Sequence, residues 1–302
     1  MGRRMDLKVG FKCNNNCIFC AQAHKRKFGD RTTEELKESL KKGIEDGYDE
    51  VVFTGGEPTV RGDIVELVKY ASDLGYELIQ IQTNGRMLSY MSFAKKLVEA
   101  GATEFSPSIH GHTWKIHDSQ TRCVGSFQQT LQAIKNLVKL GVPVLTNSVV
   151  TKFNYKYLPE LVEMLISLKV DQFQLAYVHP VGNAWKYFDL VVPKMTDAAP
   201  YIVKALDIAK ENGYGPGRAM VEAFPPCMMK GYEKFCSEFY MPRHNRVVDL
   251  DQEIPDFEKW RKESGKKKFP QCLKCKYNSI CEGPWKEYPE RFGSDEFKPI
   301  IR

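Results

Sequence analysis

The sequence predicts an α/β fold, a partial (β/α)6 TIM-like barrel followed by a small cysteine-rich C-terminal domain. Two observations carry this expectation. Short β-type segments alternate with helical ones at a spacing of thirty to forty residues, the pattern of a parallel sheet built from βαβ units. A breaker-rich run, Asn212-Gly213-Tyr214-Gly215-Pro216-Gly217, then ends the alternation, and five more cysteines follow it. The predicted division is residues 1–215 and 216–302.

In order, strands are expected at residues 7–11, 50–54, 77–83, 103–109, 143–150 and 172–178. Helix 33–45 opens with Thr32 or Thr33 as cap. Helix 63–74 has apolar residues at 64, 67, 68 and 71, and helix 126–140 places 127, 131, 134, 137 and 138 on one face. Further helices cover 158–168 and 196–211, and right-handed crossovers curl such a sheet toward a barrel.

Composition sets the outer bounds. With 302 residues, 42% of them hydrophobic, the chain can bury one large core. No apolar run approaches the roughly eighteen residues of a membrane span, so a soluble protein is expected. Net charge is +6 from 44 basic and 38 acidic residues, and the one concentrated basic run, 266–268, reads as a solvated loop. Without an arginine-rich aromatic patch, nucleic acid is a poor fit as partner. Nine cysteines is an odd number, and residues 1–12 lack an apolar signal segment. Free thiols in a reducing, cytoplasmic compartment are expected rather than disulfides.

The unusual residues fall where barrels of this kind keep their chemistry, on the loops after the strands' carboxyl ends. Cys13, Cys17 and Cys20 follow the first strand. Three thiolates can hold three irons of a four-iron, four-sulfur cube and leave the fourth open. A structural zinc would want a fourth ligand, and His24 is the only nearby candidate. Gly55-Gly56-Glu57-Pro58 follows the second strand, Asn84 and Gly85 the third, Ser108 and His110 the fourth; Asn147 lies in the fifth, and His179 closes the sixth. Taken singly, such residues also make turns, buried hydroxyls and satisfied histidines, and that plain reading is preferred for His110 and His179.

The spacing CxxxCxxC, with aromatic Phe19 directly before the last cysteine, resembles the signature of the radical S-adenosylmethionine (SAM) superfamily. The Gly-Gly-Glu-Pro run, thirty-five residues on, is similar to the superfamily's second signature, which lines the methionine end of SAM. The resemblance implies a [4Fe–4S] cluster on Cys13, Cys17 and Cys20. It implies SAM held by Phe19, Gly55, Gly56, Glu57, Pro58, Asn84, Ser108 and Asn147, with the Glu57 carboxylate accepting from the SAM ammonium. It further implies reductive cleavage of SAM to a 5′-deoxyadenosyl radical that removes hydrogen from a substrate, and an electron donor such as flavodoxin or ferredoxin.

The pattern Cys-x-x-Cys-x5-Cys at Cys272, Cys275 and Cys281, followed by Glu282 and Gly283, resembles the auxiliary cluster domains called SPASM and twitch. A full SPASM domain uses more cysteines than the five available, so one auxiliary [4Fe–4S] cluster is expected and the module is twitch-like. Cys227, after Phe224-Pro225-Pro226, is preferred over Cys236 as fourth ligand, and a zinc ribbon of the same four thiols is the alternative. Cys123 matches no ligand pattern.

With the triad beginning at residue 13, no fused leader-peptide or cobalamin domain is expected, and no nucleic-acid-binding extension after residue 302. The expected substrate is a peptide or protein side chain. The alternatives are a small cofactor precursor, or a non-catalytic iron–sulfur carrier or sensor. No catalytic side chain is assigned from sequence.

Overall fold

A computed structural model describes residues 2–241 and 245–301. Among these residues nine strands form, β1 (Arg4–Lys8), β2 (Glu50–Thr54), β3 (Leu78–Thr83), β4 (Glu104–Pro107), β5 (Leu145–Val150), β6 (Gln172–Tyr177), β7 (Ala219–Glu222), β8 (Arg246–Val248) and β9 (Glu253–Ile254). One sheet runs β4-β3-β2-β1-β8-β9 and another β5-β6-β7, and parallel bridges Phe105 to Val144 and Ser108 to Asn147 join them. The result is a partial barrel. The six expected strands form its centre, with β7 added beside β6 and β8 beside β1, both parallel.

Both added strands lie beyond the expected boundary at 215/216. The Gly-Pro-Gly run is a turn rather than a spacer. Ala219 N–H donates to Gly215 O at 3.0 Å, and the buried Tyr214 donates its hydroxyl to Val170 O at 2.6 Å, so the chain is steered straight back into the sheet. The first strand ends at Lys8 instead of residue 11. Gly10 there takes φ +154° and an added Cβ would lie 2.2 Å from an Asp30 carboxylate oxygen, so the backbone leaves the ladder.

The helices flank the sheet. They are α1 (Thr33–Glu45), α2 (Ile64–Asp73), α3 (Met91–Glu99), α4 (Trp114–Thr121), α5 (Ser126–Leu140), α6 (Leu158–Ser167), the short α7 (Asn183–Lys186) and α8 (Phe188–Val191), and α9 (Met195–Glu211); the short α10 (Phe257–Trp260) and α11 (Tyr288–Phe292) lie in the C-terminal segment. Thr32 caps α1 with a capping box, its hydroxyl accepting from Glu35 N at 3.2 Å while Glu35 accepts from Thr32 N at 2.7 Å, an arrangement worth about 1 kcal/mol. Helices α3 and α4, and the short α7, α8, α10 and α11, are additional to those expected. In α4 the buried residues are His117, Gln120 and Thr121, which leave no apolar stripe to read.

Strand alternation sorts side chains between two environments. Met5, Leu7, Val51, Phe53, Ile79, Ile81 and Phe105 pack with Leu36, Leu40, Leu67 and Leu97 of the helices. The alternate positions face the lumen, where Asp6, Val52, Gln80 and Glu104 share one row and Asn147 pairs with Gln174 in the next sheet. The lumen is therefore polar, which suits a ligand-holding barrel better than a packed one. Among the described residues, no helix is long and apolar enough to cross a membrane.

Candidate active site

The loop after β1 carries the three thiols and is held from several sides. Asn16 N–H donates to Thr121 O at 3.0 Å and Ile18 N–H to Gln120 O at 2.8 Å, while Asn183 donates its side-chain amide to Cys17 O at 2.8 Å and its backbone N–H to Cys20 O at 3.0 Å. Arg26 and Arg86 donate to the carbonyls of Asn15 and Asn14. A loop so fixed orients its thiols before any ligand arrives. Cys13, Cys17 and Cys20 all border one cleft of about 330 Å³. Burial pushes all three thiols up, most of all Cys17, where the neighbouring thiols add to the effect; on Cys20, Arg26 opposes it. Phe19 lines the same cleft with its ring edge-on to His110, centroids 4.7 Å apart.

The Gly-Gly-Glu-Pro loop packs against the cysteine loop. A Cβ on Gly55 would meet Gly10 O at 2.3 Å and one on Gly56 would meet Lys12 O at 2.3 Å. Gly56 N–H donates to Gly10 O and Glu57 N–H to Lys12 O, each at 2.8 Å. These glycines allow two backbones to touch, a more specific task than the ligand approach expected of them. Gly55, Gly56 and Glu57 border the cleft, whereas Pro58 is buried behind it.

Glu57 is engaged within the protein itself. Its carboxylate is buried and already takes four donors: Thr59 N at 3.1 Å, Thr59 Oγ1 at 2.5 Å, Thr83 Oγ1 at 2.6 Å and Asn84 N at 2.5 Å. Burial raises its pKa and those hydrogen bonds work against the rise. The residue braces the loop after β2 against the loop after β3.

Asn84 stands beside the thiols. Its Nδ2 donates to Asn14 Oδ1 at 2.6 Å and lies 3.9 Å from Cys13 Sγ. Ser108 and Asn147 face each other across the bridge between β4 and β5, and Ile109 N–H donates to Asn147 O at 3.1 Å. The Asn147 side-chain oxygen is buried with no partner among the described residues. A polar ligand in the cleft would supply that partner.

His110 is buried and lines the cleft. Its Nδ1 accepts from Val149 N at 3.2 Å, its backbone N–H donates to His117 Nδ1 at 3.0 Å, and burial lowers both imidazoles, His117 to about 4. His179 stacks on Trp285 with centroids 3.8 Å apart, and both line the cleft along with Glu222. Glu222 and Trp285 escaped the sequence reading. Glu222 sits on a strand beyond residue 215, and Trp285 follows the last cysteine motif; only the return of the chain into the barrel brings them here.

Cys227, Cys272, Cys275 and Cys281 surround a second, apolar hollow walled by Pro225, Phe269, Pro284 and Phe297. Burial, with the other three thiols adding, pushes Cys227 up to about 12. Burial likewise pushes Cys281 up to about 11, against the Gly283 N–H that donates to its sulfur at 3.3 Å. Cys236 is elsewhere, fully buried with its thiol donating to Phe224 O at 3.6 Å. Lys266, expected on a solvated loop, is buried between Glu238 and Glu282. Among the described residues, no three His, Cys, Asp or Glu side chains converge tightly enough to hold a single metal ion as they stand. Thiolates are soft donors of the kind that iron–sulfur clusters take, and each group borders a hollow.

Comparison with known proteins bears on the family and the fold. The family model described as Radical SAM superfamily matches residues 7–165. A probable GTP 3′,8-cyclase of Sulfurisphaera tokodaii is 31% identical over 191 residues, covering 61% of this chain and 60% of that protein. An AdoMet-dependent heme synthase of Oleidesulfovibrio alaskensis is 31% identical over 184 residues, 60% of this chain and 47% of the other. The chain thus spans between about half and three fifths of these curated relatives. Among solved structures, Streptococcus suis SuiB bound to S-adenosylmethionine superposes with a TM-score of 0.67 at 19% identity, covering 99% of this chain and 76% of that one. The anSMEcpe structure with bound AdoMet and Cp18Cys peptide gives 0.68 at 20% identity, covering 94% and 89%. At these identities the structural likeness shows the fold.

Proposed function

The chain belongs to the radical SAM superfamily, and we propose that it cleaves SAM reductively in the cleft described above and abstracts hydrogen from a peptide or protein side chain. The observation that carries this reading is the convergence of Cys13, Cys17, Cys20, Gly55, Gly56, Asn84, Ser108 and Asn147 on one cleft. A [4Fe–4S] cluster and SAM, when bound, supply a one-electron cleavage of the sulfonium bond and a 5′-deoxyadenosyl radical. The three thiols would ligate the cluster and leave one iron for SAM. Ser108 and Asn147 would hold polar groups of SAM, Asn147 through its unpartnered oxygen. Glu57 would act indirectly, by fixing Asn84 next to Cys13.

Cys227, Cys272, Cys275 and Cys281 would carry a second, fully ligated [4Fe–4S] cluster of the SPASM/twitch kind. With no open iron it would take an electron rather than bind substrate. A peptide substrate is favoured by the near-complete superposition on SuiB and anSMEcpe, whose structures hold a precursor peptide and the Cp18Cys peptide. A small-molecule substrate is the second reading, supported by relatives named GTP 3′,8-cyclase and heme synthase.

The test is anaerobic reconstitution followed by SAM and dithionite. Formation of 5′-deoxyadenosine that disappears in the Cys13, Cys17 and Cys20 alanine variant supports the proposal. No 5′-deoxyadenosine from protein with full iron content refutes it.

A further inference from the structure

The ends of β1 to β5 carry the thiols and the residues suited to SAM, which leaves the β6 and β7 end of the cleft for the substrate. That end has an unusual charge balance. Arg261 is committed to Glu282 through two hydrogen bonds of 2.9 and 3.0 Å. Lys266, with no exposed side-chain surface, is committed to Glu238 at 3.0 Å and Glu282 at 3.2 Å. Glu222 makes no ion pair among the described residues, and burial raises its pKa, with Lys266 and Arg261 working against the rise. One Glu222 oxygen accepts from Gln174 Nε2 at 2.6 Å, and the part of the side chain left exposed lies in the cleft.

The surrounding polar atoms are also incompletely paired. Glu238 Oε2 and the Nε1–H of the buried Trp285 have no partner among the described residues. The Trp285 ring is already occupied by His179 stacked at 3.8 Å and by Lys266 Nζ at 5.0 Å from its centroid, so its contribution to a ligand is the indole N–H. A largely buried carboxyl with no ion pair is costly to ionise until a positive partner arrives.

We propose that Glu222, with Trp285 lining the same cleft, is the recognition point for a positively charged group of the substrate, a primary ammonium or a guanidinium. The proposal rests on the cleft being the site of hydrogen abstraction. It deepens that reading by naming the chemistry the substrate presents, and the charge can come from a basic residue of a peptide or from a free amine.

Perdeuterated lysine and arginine, each free and within a glycine-flanked pentapeptide, are incubated with the reconstituted protein, SAM and dithionite. Perdeuterated norleucine and glutamate serve as neutral and acidic controls. The fraction of 5′-deoxyadenosine that carries deuterium reports which probe is held against the reacting carbon. Cationic probes are expected to exceed norleucine by about tenfold or more, and Glu222→Gln is expected to remove most of that preference, as for a truncated buried charge pair. The peptide and free arms distinguish the two sources. Equal deuterium from norleucine, none from any cationic probe, or an undiminished preference in Glu222→Gln overturns the proposal. Should Glu222→Gln fail to fold, the probe ratio in the parent protein decides alone. Complete absence of 5′-deoxyadenosine would instead refute the reading of the cleft itself.

Discussion

Glu57 accepts the backbone N–H of Asn84 at 2.5 Å, which locks the loop after β2 to the loop after β3 directly beside Cys13. The bond makes the second sequence motif a support for the first, since Asn84 also holds Asn14 of the cysteine loop. Glu57→Gln keeps the volume but turns an acceptor into a donor facing Thr59 and Thr83. A loss of ~1–3 kcal/mol of stability is expected, with weaker SAM binding in step as Asn84 shifts. Urea midpoints and SAM titration check this; a variant equal to the parent in both would show that the four hydrogen bonds contribute nothing.

The two thiol groups predict the metal content. Anaerobic reconstitution should give about eight irons per chain, falling to about four in the Cys13, Cys17 and Cys20 alanine variant. About four irons and one zinc in the parent would replace the auxiliary cluster with a zinc ribbon.

The C-terminal cysteines are far in sequence from the residues proposed to hold SAM, and their hollow is lined by a separate set of side chains. Alanine at Cys272 and Cys275 should therefore leave slow SAM cleavage intact and abolish conversion of the substrate. Loss of SAM cleavage in a soluble, folded double variant would mean that the C-terminal segment helps to build the SAM site.

Acid should destabilise the fold through His117. Its imidazole accepts from His110 N–H and burial lowers its pKa to about 4, so the unfolded chain binds the extra proton more readily. Stability on this account is full above the ordinary histidine pKa of about 6.5 and is lost as pH falls toward 4. His117→Asn retains an acceptor and does not titrate, so its urea midpoint should depend less on pH across that window. An identical pH profile for parent and variant would remove His117 from the account.

The parts of the site legible in the sequence are those encoded locally. Cys13, Cys17, Cys20 and Gly55-Gly56-Glu57 declare themselves by spacing, and β2 and α5 follow from apolar periodicity alone. Less legible features depend on distant partners. Glu57 looks like a free carboxylate until Thr59, Thr83 and Asn84 are folded around it. Strands β7 and β8 have four and three residues, too short to signal themselves, and they follow a glycine-rich turn that reads as a boundary. With them went Glu222, and with the returning chain went Trp285 and the burial of Lys266.

The central claim is that the N-terminal triad alone leaves an iron open to SAM. The most direct measurement is the electron paramagnetic resonance spectrum of the dithionite-reduced Cys272→Ala, Cys275→Ala protein, which keeps only the triad cluster, recorded with and without SAM. The account predicts a clear change of the signal on adding SAM. A spectrum that SAM leaves unaltered, in protein carrying its full complement of about four irons, would contradict it.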